Sequence, residues 1–268
     1  MNGLLTDQVA VITGAGGGIG RAMAVEFAAQ GADLVLVDLD RDALDETIAA
    51  ATEHGRRLVP VVADVTSTEQ TKGFVQTTID EFGRIDAMVN NAGLEGKVSP
   101  THEHPEEWFD QVIAVNLRGV FLGMKYALQR MIEQGSGSVL NTSSTSGLLG
   151  FCGHPAYTAA KHGVVGLTRT AAGEVGRYDV RVNAIGPGMT NTRLMRDVER
   201  GTSPDDPEQS RALYASTSPM MRYTEPEEVA SLAAFLVSPK ASGINGAYYL
   251  IDGGMSATRE AFYRDGLI

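Results

Sequence analysis

Val9-Ala10-Val11-Ile12-Thr13-Gly14-Ala15-Gly16-Gly17-Gly18-Ile19-Gly20 reads as a buried strand, a glycine-rich turn and the start of a helix. Glycines let a backbone turn tightly and approach a pyrophosphate, whose charge the N-terminus of the following helix stabilises. The common G-x-G-x-x-G spacing is absent because position 19 is Ile; Gly14, Gly18 and Gly20 give G-x-x-x-G-x-G instead. A glycine turn without a ligand is the alternative, but placement between a strand and a helix favours a dinucleotide. A second apolar run, 34–37, ends at Asp38, eighteen residues after Gly20. A carboxylate there accepts hydrogen bonds from both ribose hydroxyls and repels a 2′-phosphate, so the expected cofactor is NAD rather than NADP. The competing role for Asp38 is a strand-end helix cap.

Further strands are expected at 58–62, 85–90, 139–142 and 180–185, each apolar throughout and so buried on both faces. Helical segments alternate with them; in 19–30, for example, Ile19, Met23 and Phe27 share one face. Strict alternation predicts an α/β fold, a doubly wound parallel sheet of the Rossmann type, in a single domain spanning 1–268. Residues 196–227, rich in proline and charge, break the alternation; a connection this long suggests a substrate loop or lid. The tail, 257–268, carries Phe262, Tyr263, Leu267 and Ile268 and is expected to dock rather than float.

The 268 residues, 43% hydrophobic and 21% charged, suffice for a large core. A formal net charge of −11 argues against a nucleic-acid partner and against an anionic membrane surface. No run of eighteen apolar residues is present, and the N-terminus lacks the pattern of a signal peptide. Cys152 is the single cysteine, which excludes an intrachain disulfide, fits a reducing compartment and suggests a cytoplasmic protein. We read it as a packing or pocket-wall residue. His102 and His104 beside Glu103, Glu106 and Glu107 read as a solvated loop, and no metal is expected.

Tyr157 and Lys161 stand at i and i+4, on one face of a helix, with Ser144 thirteen residues before the tyrosine at the end of the fifth strand. A tyrosine that accepts a proton from an alcohol near neutrality must fall from a pKa near ~10 to about 7, roughly 4 kcal/mol. One ammonium about 4 Å away at an effective dielectric of ~20 supplies about that much, so Lys161 alone is expected to be nearly sufficient.

The glycine turn, Asp64-Val65, Asn90-Asn91-Ala92-Gly93, Asn116, Ser144, Tyr157, Lys161 and Pro187-Gly188, in this order, resemble the short-chain dehydrogenase/reductase family over residues 7–256. The resemblance implies an NAD-dependent oxidoreductase. Gly14, Gly18, Ile19, Gly20, Asp38, Asp64, Val65, Asn91, Ala92, Gly93, Tyr157, Lys161, Pro187, Gly188, Thr190 and Thr192 would bind the cofactor; Thr190 stands where a branched apolar residue is usual. Ser144 would hold the substrate oxygen and Tyr157 would be the acid or base. Lys161 would also hold the nicotinamide ribose, and Asn116 would bend its helix and hold a water leading from Lys161 to solvent. His154 would line the substrate pocket with Ser144 and Tyr157.

Residues 91–97, 116–123 and 161–169 look closest to dehydrogenases of cyclic alcohols. With Leu149, Phe151, Met189, Leu194 and Met195 as an apolar lining, the expected substrate is an alicyclic or aromatic secondary alcohol or its ketone. A 3-oxoacyl thioester reductase and a non-catalytic cofactor sensor are the rivals. The helix 156–176, apolar on more than one face, is expected to be buried all round and to join a homotetramer.

Overall fold

The structure is a computed structural model and describes residues 3–257. Seven strands form one parallel sheet: β1 (Val9–Thr13), β2 (Asp33–Asp38), β3 (Leu58–Val62), β4 (Ala87–Asn90), β5 (Gly137–Thr142), β6 (Val180–Pro187) and β7 (Tyr248–Ile251), in the order β3-β2-β1-β4-β5-β6-β7. The order reverses direction between β1 and β4, which opens a crevice above their carboxyl ends.

Side chains alternate across a strand, and in β1, β2, β4, β5 and β6 both faces are buried over most of their length. Ala10 and Ile12 of β1, with Leu34 and Leu36 of β2, join the apolar layer under α1 (Gly18–Ala29) and α9 (Pro226–Val237). Val11, Val35 and Val37 point the other way, into the layer containing Phe74 of α3 (Thr68–Phe82), Met124 of α5 (Val120–Gln134) and Val164 of α6 (Pro155–Val175). That two-sided burial is why the strands read as continuous apolar runs. α2 (Arg41–Ala51) and α4 (Glu106–Ile113) complete the crossovers as far as α6.

Four expectations are corrected. β7 was not anticipated: Tyr248–Ile251 is short and half-buried, an edge strand without a strong apolar signal. β4 starts at Ala87, because Asp86, just before it, has Oδ2 accepting from the Val9 N–H (2.9 Å) at the start of β1. Residues 196–227 are largely helical: α7 (Arg193–Thr202) is capped by the Thr192 hydroxyl, and α8 (Pro207–Ala215) by Asp206. This excursion has a polar core of its own. Glu199, 5% exposed at its side chain, lies 3.4 Å from Arg211, whose guanidinium stands 4.6 Å from the centre of the Tyr223 ring. Finally, α6 is buried on one side only; Ala159, His162, Gly166, Arg169 and Gly173 are exposed in the single chain. Of the tail, only Ala257 lies within the described residues, and its expected docking falls outside them.

Candidate active site

The glycine turn is shaped by close contacts that exclude side chains. A Cβ on Gly14 (φ +66°) would lie 2.8 Å from Ala92 Cα, and one on Gly20 would lie 1.9 Å from the Gly14 carbonyl oxygen. Gly17, by contrast, faces open space. The N-terminus of α1 has no side-chain cap and no acidic residue in its first turn, leaving its N–H groups for an anion. Asp38 borders this turn: its Oδ2 accepts from the Gly16 N–H (2.9 Å), while Oδ1 accepts from the N–H groups of Leu39 (2.7 Å) and Asp40 (3.2 Å). Asp38 is therefore a loop former as well as a candidate ribose ligand. Asp64 and Val65 follow the neighbouring strand, Asp64 Oδ1 accepting from the Thr66 N–H and hydroxyl (2.8 Å each). The bare helix terminus, the open face at Gly17 and the acidic strand end fit a dinucleotide.

Across the crevice, the Thr13 hydroxyl accepts from the N–H groups of Asn91 (3.0 Å) and Ala92 (3.1 Å), and the Asn91 amide donates to the carbonyls of Thr13 and Gly14. These bonds lock the glycine turn to the end of β4. Gly93 stands between two candidate residues; a Cβ there would lie 3.2 Å from Asn116 Oδ1 and 3.7 Å from Lys161 Nζ. Asn116 is fully buried in a π-turn, Ala114–Gly119, joining α4 to α5. Its amide donates to the Leu94 carbonyl (2.7 Å) and its Oδ1 accepts from the Leu94 N–H (2.9 Å). The helix deforms where the expectation placed a bend, as π-turns at functional sites often do.

Ser144 follows β5 and caps a 3₁₀ turn, Thr145–Gly147, its hydroxyl accepting from the Ser146 N–H (3.2 Å). Tyr157 lies in the first turn of α6 and Lys161 one turn on, its ammonium 5.4 Å from the centre of the tyrosine ring. Lys161 is 3% exposed and donates from Nζ to the Thr142 carbonyl (2.9 Å). Ser144, Tyr157, Lys161, Asn116 and the glycine turn thus meet at the carboxyl ends of β1, β4 and β5.

The electrostatics correct the expectation about Lys161. Burial pushes the Tyr157 phenol well above its ordinary value, the Glu95 charge adds to that push, and the nearby Ser144 hydroxyl pulls the other way. Burial also draws Lys161 down to about 8, with Glu95 opposing. A dry site weakens the ammonium that was expected to activate the phenol, so Lys161 alone does not suffice.

Pro187 ends β6, and the Gly188 N–H donates to the Ile251 carbonyl (3.0 Å). Thr190 is buried, its hydroxyl bonded to the Gly188 carbonyl (3.2 Å). Thr192 reaches the glycine turn, its Cγ2 lying 3.3 Å from where a Gly18 Cβ would stand. His154 precedes α6, with Nδ1 2.7 Å from Glu95 Oε1. Leu149 and Leu194 are exposed, whereas Met195 is turned into the interior. Cys152 is exposed, which corrects its reading as a packing residue.

Two neighbours of the site escaped the sequence reading. The Tyr248 hydroxyl, from β7, donates to the Ser144 carbonyl and so braces the serine. Glu95, two residues beyond Gly93, acts electrically on both Tyr157 and Lys161. Tyr248 belongs to a strand without a clear signal; Glu95 is a lone acid in a loop whose companions lie sixty residues away.

Among the described residues, no helix is long and apolar enough to cross a membrane, and no group of three metal-ligating side chains gathers. The family model described as enoyl-(acyl carrier protein) reductase matches residues 14–256. Levodione reductase of Leifsonia aquatica is 45% identical, covering 94% of this chain and 95% of that protein. A crystal structure of levodione reductase superposes with a TM-score of 0.94, covering 95% of this chain and 99% of that one, at 45% identity. Cyclohexanol dehydrogenase of an Acinetobacter species (strain SE19) is 35% identical, covering 94% of this chain and 96% of that protein. A crystal structure of NAD⁺-bound xylitol dehydrogenase gives a TM-score of 0.90 at 33% identity, covering 93% and 99% of the two chains. A likeness this continuous, running through the glycine turn, the Ser144–Tyr157–Lys161 centre and the last strand, makes the chain an oxidoreductase of the short-chain dehydrogenase/reductase family.

Proposed function

We propose that this chain interconverts a secondary alcohol and a ketone, alicyclic or aromatic, with NAD as its cofactor. The observation that carries the reading is the meeting of Ser144, Tyr157 and Lys161 beside a bare helix N-terminus at the sheet's switch point. The glycine turn, Asp38, Asp64-Val65, Asn91 to Gly93, Pro187-Gly188, Thr190 and Thr192 would hold the cofactor along the crevice. When bound, oxidised NAD supplies a hydride acceptor whose ring is positively charged.

The chain's own residues manage the proton. Ser144 binds the substrate oxygen, and Tyr157 takes the hydroxyl proton in oxidation or returns it in reduction. Lys161, held by the Thr142 carbonyl, steadies the tyrosinate and passes the proton outward past Gly93 and Asn116. Burial and the Glu95 charge oppose the tyrosinate, and the Ser144 hydroxyl favours it. The apolar wall, including Leu149 and Phe151, suits a ring rather than a sugar.

We further infer a cytoplasmic homotetramer in a single domain, with the α7–α8 excursion as a lid. Supporting the assembly is the exposed side of α6, where Gly166 and Gly173 have open space for a neighbouring backbone. Reduced-cofactor fluorescence with a panel of cyclic, aromatic, sugar and 3-oxoacyl thioester ketones tests the reading. Turnover of cyclic or aromatic ketones with NADH is expected. Binding without turnover means a sensor, and preferential turnover of thioesters with NADPH means the rival reductase.

A further inference from the structure

The glycine turn is gripped from behind, by side chains that lie outside the crevice. Thr47, in the second turn of α2, is fully buried, and its hydroxyl donates to the Ala15 carbonyl (2.8 Å). A threonine inside a helix usually gives that proton to the carbonyl four residues back. Here the Ala43 carbonyl is the longer contact, at 3.1 Å. The same hydroxyl accepts from Nε of Arg21 (3.1 Å), in the first turn of α1. The guanidinium then reaches the Gly16 carbonyl (2.6 Å) and the Glu46 carboxylate (2.7 Å).

Holding these two carbonyls fixes where the turn's N–H groups point. A trans peptide sets its N–H opposite its C=O, and no described peptide is cis. The Ala15–Gly16 peptide is therefore held at both ends, its oxygen by Thr47 and its N–H by Asp38 Oδ2 (2.9 Å). In the next peptide Arg21 draws the Gly16 oxygen toward itself, which turns the Gly17 N–H the opposite way. Among the described residues nothing accepts from that N–H, and Gly17 faces open space. Consecutive glycines without such a grip sample many orientations, including those that aim a carbonyl oxygen at an arriving anion. Arg21 also offsets the negative end of the Gly16 carbonyl and brings a cation to the turn, in a chain of net charge −11.

We propose that Thr47 and Arg21 are positioning residues that set cofactor affinity. They orient the glycine turn for the adenosine and pyrophosphate half of NAD and take no part in hydride transfer. This inference rests on the cofactor reading above.

The test measures binding of NADH by fluorescence titration and of ADP-ribose by competition, with oxidation of cyclohexanol alongside. The proteins are wild type, Thr47→Val, Thr47→Ser, Arg21→Met and the double variant Thr47→Val/Arg21→Met. Thr47→Val removes the hydroxyl and leaves the Ala15 carbonyl without its donor; both ligands should bind about tenfold more weakly. The KM of NAD should rise by a similar factor, with kcat at saturating NAD and the KM of cyclohexanol within about twofold of wild type. Thr47→Ser keeps the hydroxyl and should bind both ligands as wild type does. Arg21→Met should lose at least as much as Thr47→Val, and the double variant little more, because both residues hold one turn. The Arg21 side chain is 33% exposed, so its variant decides should Thr47→Val not fold. The binding measurements decide even where cyclohexanol is a poor substrate. Unchanged affinity for both ligands in Thr47→Val and Arg21→Met overturns the proposal. So does a loss that Thr47→Ser fails to reverse, or equal losses in kcat and in both KM values, which would make the contact one of packing alone. A wild type that binds neither NADH nor ADP-ribose overturns the cofactor reading itself.

Discussion

Lys161 carries its chemistry at a thermodynamic cost that can be measured. Its value of about 8 in the folded chain lies below 10.5 for the free side chain. Between those values the unfolded chain holds a proton that the folded chain has released, so stability rises with pH, by up to about 1.4 kcal/mol per unit. Tyr157, raised by burial, works in the opposite direction above pH 10, which leaves a window from about 8 to about 10. Urea unfolding at pH 7, 8 and 9 should show this rise in wild type and not in Lys161→Met; equal slopes would refute the buried-ammonium account. At pH 7 the variant should be at least as stable as wild type, even with the Thr142 carbonyl left without its donor (about 1 kcal/mol). Its turnover should fall by roughly 10²–10⁴-fold, the share of a positioned proton-transfer group. Asp38 makes a second residue-level prediction. Wild type should favour NAD over NADP by at least about tenfold, 1.4 kcal/mol, and Asp38→Ala should narrow the gap. Because the same carboxylate accepts from the Gly16 N–H, the variant should also bind NAD more weakly. Equal use of both cofactors by wild type would sink the assignment.

At the scale of elements, legibility followed the distance along the chain over which each feature is determined. The turn from Thr13 to Gly20 was readable because its glycines are required by contacts within a few residues, such as Gly20 against the Gly14 carbonyl. Tyr157 and Lys161 were readable because one helical turn separates them. The Glu95–His154 pair was not, since nothing in a lone glutamate announces a histidine from another loop. Tyr248 was hidden for the same reason, its bond to Ser144 spanning 104 positions. The excursion was misread because proline and charge suggested a loop, whereas Pro207 starts a helix at a position where a missing N–H does no harm. As two helices tied by Glu199 and Arg211, it should move as a body that carries the exposed 203–206 turn between them. Limited proteolysis should cut that turn, and cofactor with substrate should protect it. Equal cleavage rates with and without ligands would remove the lid from the mechanism.

For the molecule as a whole, the single chain leaves one side of its longest helix open. Ala159, Gly166 and Gly173 along α6 expose little but backbone, and close packing of a partner helix there would complete its burial. Light scattering at micromolar concentration should give a tetramer; a monomer would show that the exposed side of α6 is an ordinary surface. The same view of the surface gives Cys152 an unexpected use. The chain has one thiol, and it is exposed on the loop two residues before His154. A maleimide dye should therefore attach once per chain without any engineering, at the rim of the crevice, and its emission would report substrate arriving and leaving.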